Sequence, residues 1–266
     1  LDTATAEIVA CTGRNPDDVR ERLWQAAVGY RNPDPDGGIV DAFVDALRPL
    51  RVRSVGAVLR RIRRYAEQRS SLLAGLRVLT FGDAAGTATL ALVQNGVRCD
   101  AFDVPGRSPQ GFAQARYEAA GVLDGAVRII TDQGLITRGH YDIVIAFDLL
   151  EIPTRPQRAI RGLARALKPG GLLFLTETLD VLAPPAARMG ANARYRGTTA
   201  YLAFREGLAL TWYDRDEFRG LMEFENRGGT LFERLRFLSV NLATLDAAAM
   251  LAWRGCWSDL RLETPP

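Results

Sequence analysis

The residues whose types and spacing suit chemistry fall at the ends of short apolar runs. Gly82-Asp83-Ala84-Ala85-Gly86 closes the run "VLTF" and precedes a helical pattern. In such a strand-turn-helix, small residues let a ligand approach the backbone, and main-chain N–H groups at the helix start aim at it. Asp103 lies 17 residues beyond Gly86, after "VRCDAF". An acid there is placed to accept hydrogen bonds from ribose hydroxyls. Asp132 and Gln133 follow "AVRIIT" and offer an acceptor and a donor to the edge of a base. The set points to a cofactor containing a nucleoside. It does not fit a dinucleotide, because Gly82-x-x-x-Gly86 lacks GxGxxG spacing, nor a nucleoside triphosphate, because no GK[ST] ends the turn.

These residues need a scaffold that brings strand ends together. From Leu76 the pattern alternates strand and helix. Strands are expected at "LRVLTFG", "VRCDAF", "AVRIIT", "YDIVIAF" and "LLFLTE", the last spanning Leu172 to Glu177. Helices are expected between them: Thr87 to Gln94, stopped by Asn95-Gly96; Ser108-Pro109 to Gly121; and a segment opened by a capping box of Thr154 and Gln157 and ending before Lys168. Strands separated by single helices pair in parallel through right-handed crossovers. The expected class is therefore α/β, a doubly wound, mostly parallel sheet, with the three turns at one edge.

Upstream, Asn15-Pro16-Asp17-Asp18 combines a cap, a first-turn proline and acids at the positive end of a helix dipole. A helix follows to near Tyr30, and the pattern resumes from Ile39 to Leu47. Arg51 to Arg69 sets Val55, Val58, Leu59, Ile62 and Tyr65 on one helical face and Arg53, Arg60, Arg61, Arg63 and Arg64 largely elsewhere. Residues 1–72 are expected to form an N-terminal helical appendage and 73–266 the ligand-binding domain. After Asp180, a loop or lid is expected at "VLAPPAARMGANARYRGTT", a helix at "TWYDRDEFRGLMEF", a strand at "TLFERLRFLSV", and a terminal helix at "DAAAMLAWRGCWSDL" with Trp253 and Trp257 as core or subunit-contact residues.

"VLTFGDAAG", Asp103, "YDIVIAFDLLEI" and "RAIRGLARALKPGGLLFLTE" together resemble the class I S-adenosylmethionine-dependent methyltransferases, in order and spacing. The resemblance is strongest over Leu76 to Glu177, and its most specific part is "FDLLE" followed by "LKPGG". It implies a Rossmann-like fold and S-adenosylmethionine as cofactor. Residue by residue, Gly82, Asp83, Ala84 and Gly86 would face the methionine moiety and Asp103 the ribose, with Val104 beside it. Asp132 and Gln133 would face the adenine, and Phe147, Asp148 and Leu149 would flank the cofactor near its sulfonium. Three positions depart from the family: Thr80 replaces the usual acid of the first strand, Ala84 the usual middle glycine, and Ile152 a frequent histidine. Asp83 or a water is expected to take over the missing acid's contact with the methionine amine.

Methyl transfer is an in-line displacement, so the protein mainly aligns the partners, although an oxygen nucleophile also needs a base or a metal. Asp148 and Glu151 after the fourth strand, and Glu177 after the fifth, are the candidate catalytic carboxylates. Each could equally serve as a cap or ion pair. Tyr213 and Asp214 are weaker candidates from the later segment. His140, the single histidine, precedes the fourth strand and so belongs at the opposite end of the sheet. No metal site is assigned.

A net charge of +3 over 266 residues is too small to mark a nucleic-acid binder. Three distant cysteines give neither a disulfide framework nor a zinc site, which makes the cytoplasm the expected location. No apolar run reaches the roughly 20 residues of a membrane span. The expected acceptor is a small molecule or a sugar hydroxyl, and the chain is compatible with a homo-oligomer or a module of a larger protein. Two readings compete: an RNA-modifying methyltransferase, suggested by Arg60 to Arg64, and a non-catalytic partner-binding domain with a degraded cofactor turn.

Overall fold

The computed structural model describes residues 2–27, 49–103, 110–147, 149–150, 155–176, 199–214 and 220–228. The chain divides into two compact units, Leu1–Ile136 and Thr137–Pro266. The expected helix at 39–47, the helix start at Ser108-Pro109, the lid segment before Thr199, the strand at 230–240 and the terminal helix with Trp253 and Trp257 lie outside the described residues.

In the first unit, α1 (Asp2–Thr12), α2 (Pro16–Ala27) and α3 (Pro49–Gln68) precede β1 (Arg77–Phe81), α4 (Thr87–Gln94), β2 (Arg98–Phe102), α5 (Gln110–Ala119) and β3 (Val127–Ile130). The Asn15 side chain accepts from the Asp17 N–H at 2.8 Å, with Pro16 as the first helical residue, so the cap forms as the sequence dictates. On α3, Val55, Val58, Ile62, Tyr65 and Ala66 are buried, while Arg53, Arg60, Arg63 and Arg64 are exposed. Helical periodicity sorted that helix correctly. The strands run in the order β3-β2-β1, all parallel. Positions 78–81 of β1 are all buried, as in a strand covered on both faces.

In the second unit, β4 (Tyr141–Ala146), α6 (Pro156–Ala166), β5 (Leu167–Thr176), α7 (Thr199–Arg205), β6 (Leu208–Asp214) and β7 (Leu221–Asn226) follow. β4 pairs parallel with β5, and β7 lies antiparallel between β5 and β6. The seven strands make the mostly parallel sheet of a Rossmann-like α/β fold.

Three expectations are corrected here. In the segment 211–224, expected as one helix, residues 211–214 are strand in β6 and 221–224 strand in β7, and 215–219 lie outside the described residues. Its charged centre imitates a helical face, but Gly220 adopts φ +64° and the run Leu221–Phe224 is buried with a strand paired on each side. The helix start shifts as well: Thr154 lies outside the described residues, α6 begins at Pro156 with no side-chain cap at Arg155, and Gln157 donates to Glu206 Oε1 at 3.1 Å. Finally, β5 begins at Leu167, five residues before the expected start.

That last difference explains "LKPGG". Tyr141 pairs with Leu167 and Ile143 with Leu172, so two steps along β4 face five along β5, and the motif is a bulge. Gly170 sits at φ +73°, and a Cβ on Gly171 would lie 2.9 Å from Asp142 O and 3.0 Å from Lys168 O. Lys168 Nζ bonds Asp142 Oδ1 at 2.7 Å and fastens the bulge to β4. The motif therefore shapes the amino end of these strands, away from their carboxyl ends. We expect Gly171→Ala to lower the unfolding free energy by about 1–3 kcal/mol, read by urea denaturation.

Glu206 ties α6 to the end of α7 by accepting from Arg161 at 2.9 and 3.0 Å and from Gln157. Burial pushes this carboxyl up, but the hydrogen bonds from Arg161 and Gln157 outweigh it and hold it below the ordinary range. A depressed carboxyl contributes stability above its unfolded value, about 4.3, and loses it as pH falls through the folded value. Glu206→Gln should therefore flatten the acid side of the stability profile below about pH 5, as followed by thermal melts.

Candidate cofactor site

The parallel ladder of the first unit sets the site. Phe81 pairs with Phe102, and Phe102 with Ile130, so the three strands end level. The Gly82 N–H extends the ladder to Phe102 O at 2.9 Å, and the Phe81 and Phe102 rings meet at 4.8 Å. Gly82, Asp103 and Thr131 consequently leave the strands at one edge, and Asp132 and Gln133 follow at once.

Within the turn, Gly82 adopts φ +77° and Gly86 φ +68°. Among the described residues only Ser70 and Asp124 are non-glycines at positive φ, so Ala84 has ordinary backbone geometry. Alanine is tolerated at 84 because the two left-handed positions kept their glycines. A Cβ on Gly82 would meet nothing within 4 Å, whereas one on Gly86 would lie 2.6–2.8 Å from the Tyr117 ring and hydroxyl.

Thr80 is likewise accounted for. It is 1% exposed, and its hydroxyl lies 2.8 Å from the Thr89 hydroxyl. Asp83 Oδ2 accepts from the Thr89 N–H at 2.7 Å and from the Thr89 hydroxyl at 2.8 Å. The charge absent from β1 thus reappears three residues later, capping the first turn of α4. One oxygen of Asp83 is committed to this internal network rather than to a ligand.

Periodicity did not single out Thr89, Arg116 or Tyr117. Tyr117 is buried against Gly86. Burial first, and the charge of Asp83 next, raise its phenol well above the ordinary value, partly offset by a hydrogen bond with Thr89, so it stays neutral. Arg116, also on α5, donates to Ala85 O and to Thr87 Oγ1, the latter at 2.8 Å. No local signal marks either: "FAQARY" lies in a helix whose Gly111, Gln114 and Glu118 are exposed, so Arg116 reads as one more solvent-facing polar residue.

Asp103 follows β2 directly and is half-buried. Asp132 is exposed, and its Oδ1 accepts from the Gly134 N–H at 2.7 Å, which leaves Gln133 exposed on a short turn. In the second unit, Phe147 and Leu149 are buried just after β4. Val104, Asp148, Glu151 and Glu177 lie outside the described residues. His140 stands at the amino end of β4, its N–H on Ala166 O at 2.9 Å and its ring edge-on to Tyr141. Tyr213 and Asp214 end β6 and are half-buried. Burial pushes the Cys99 thiol far up, and no trio of His, Cys, Asp or Glu among the described residues is arranged to hold a metal.

Comparison with known proteins agrees with this architecture. A family described as "Methyltransferase domain" matches residues 52–228. The chain is 30% identical over 220 residues to a ubiquinone biosynthesis O-methyltransferase of Xanthomonas oryzae pv. oryzae, covering 79% of this chain and 83% of that protein. It is 29% identical over 240 residues to a protein of the same description from Xanthomonas campestris pv. campestris, covering 87% and 90%. In fold it is similar to magnesium protoporphyrin IX methyltransferase from Synechocystis PCC 6803, with a TM-score of 0.51 at 20% identity over 85% of this chain and 98% of that one. The chain belongs to the class I S-adenosylmethionine-dependent methyltransferase family. It is an enzyme of that family, with S-adenosylmethionine as its cofactor.

The turn is open at its first glycine, and among the described residues nothing accepts from the N–H groups of Asp83 and Ala84. Gly86→Ala should destabilise the fold by about 2 kcal/mol or more, because a methyl collides with Tyr117 at a left-handed position. Ala84→Gly should leave S-adenosylhomocysteine affinity within about twofold by calorimetry.

Proposed function

We propose that this enzyme transfers the methyl group of S-adenosylmethionine to a hydroxyl of a small-molecule acceptor. The observation that carries the reading is the level ending of β1, β2 and β3, which supplies open turn amides, an acid and a polar turn along one edge. Support for an oxygen acceptor comes from relatives described as O-methyltransferases at 30% identity. When bound, the cofactor supplies an electrophilic methyl on a positively charged sulfur.

In this reading Gly82, Asp83, Ala84 and Gly86 receive the methionine portion. Asp103 accepts from the ribose hydroxyls, with Val104 beside it, and Asp132 and Gln133 border the adenine. The acceptor's proton passes to a carboxylate, for which Asp148, Glu151 and Glu177 are the candidates, following β4 and β5 in the chain. Phe147 and Leu149 contribute apolar surface after β4. The exposed arginines of α3 give the RNA alternative its single foothold, so RNA belongs in the test.

Asp103→Ala should weaken S-adenosylhomocysteine binding about tenfold or more, since two charge-assisted hydrogen bonds are lost. Label from methyl-labelled S-adenosylmethionine should appear in small hydroxylated acceptors and not in RNA. Labelling of RNA alone would overturn the acceptor class. Among Asp148→Asn, Glu151→Gln and Glu177→Gln, the base is the variant that lowers the single-turnover rate without changing cofactor affinity.

A further inference from the structure

Arg116 is a buried cation with a defined set of partners. Its side chain is 5% exposed, its Nε donates to Glu7 Oε1 at 2.6 Å, and one terminal nitrogen donates to both Ala85 O and Thr87 Oγ1. Glu7 belongs to α1, 109 residues away in sequence. Ala85 lies inside the glycine turn, and Thr87 is the first residue of α4. A single guanidinium therefore joins the N-terminal helix to the main chain of the cofactor turn.

A second, apolar contact joins the same parts. Ile8 of α1, Val19 and Leu23 of α2, Ala85 of the turn and Phe112 of α5 form one buried cluster, with Ala4, Val9 and Cys11 packed against it. The guanidinium also lies 5.6 Å from the Phe112 ring centroid. At Ala85 the turn is thus packed against α1, α2 and α5.

The energetics make the carboxylate matter. A buried cation is tolerated when it is paired, and loss of one partner leaves an uncompensated charge that is drawn toward water. Removal of Glu7 takes a carboxylate partner from Arg116 and loosens its hold on Ala85 O and Thr87. The planar fork of arginine holds several acceptors in fixed directions, which a lysine ammonium does not reproduce.

We propose that Arg116 is a positioning residue for the cofactor turn and that Glu7 governs it, so that docking of α1 and α2 sets the affinity for S-adenosylmethionine. The proposal rests on the reading of Gly82–Gly86 as the methionine-binding turn. The helices ahead of α3 are then a working part of the cofactor site.

The test uses the full chain with Glu7→Ala, Glu7→Gln, Arg116→Lys and Asp103→Ala, measuring S-adenosylhomocysteine affinity by calorimetry, steady-state kinetics and amide exchange over residues 82–90. Glu7→Ala and Arg116→Lys should weaken binding about fivefold to tenfold, with Glu7→Gln smaller. The Michaelis constant for S-adenosylmethionine should rise in proportion while kcat at saturation is kept, and exchange at the turn should quicken in the cofactor-free enzyme. A merely structural role would not raise that constant selectively well below the melting temperature. If Glu7→Ala and Arg116→Lys bind as wild type while Asp103→Ala fails, the positioning role is overturned and the cofactor reading stands. An effect confined to Arg116→Lys overturns the part given to Glu7. A wild-type chain that binds no S-adenosylhomocysteine removes the cofactor reading, and this inference with it.

Discussion

The parallel ladder of β1, β2 and β3 is the constraint on which the proposed cofactor site depends. Because Phe81, Phe102 and Ile130 stand in register, the residues that follow them share one edge. A slip of one residue between β1 and β2 would carry Asp103 about 3.3 Å along the strand and turn its side chain to the other face. Buried positions on both faces of β1 oppose any such slip, since it would misplace Val78, Leu79 and Phe81 together. Fold stability and site geometry are here one property.

The turn tolerates its two unusual residues for separate reasons. Glycine is demanded where φ is positive, and Ala84 is not such a place. The acid missing from β1 is compensated by a hydrogen-bonded chain in which Thr80 meets Thr89 and Thr89 meets Asp83. A carboxylate at 83 serves the helix start through the Thr89 N–H as well, so one side chain stabilises both turn and helix. Tyr117, lying against Gly86, fixes the same turn by volume.

Support from behind is polar and apolar at once. Arg116 reaches the turn's main chain, Ala85 shares a cluster with α1 and α2, and Glu7 pairs with the buried guanidinium. In the second unit, the "LKPGG" half of the family's most specific pairing has a structural role: it builds a bulge held by Lys168 and Asp142.

The sequence by itself determined the alternation of strand and helix through β5, the cap at Asn15, the buried face of α3 and the placing of Asp103 and Asp132 after consecutive strands. Those follow from local periodicity and turn chemistry, which neighbouring residues carry among themselves. Only the tertiary structure decided that residues 211–214 and 221–224 are strand, because pairing on both sides of β7 outweighs the helical spacing of the charges. It also decided that Gln157 serves Glu206, and that Arg116 serves Ala85 and Glu7. Long side chains find partners dozens of residues away once burial forces each polar group to be satisfied, and no local pattern encodes which partner that is.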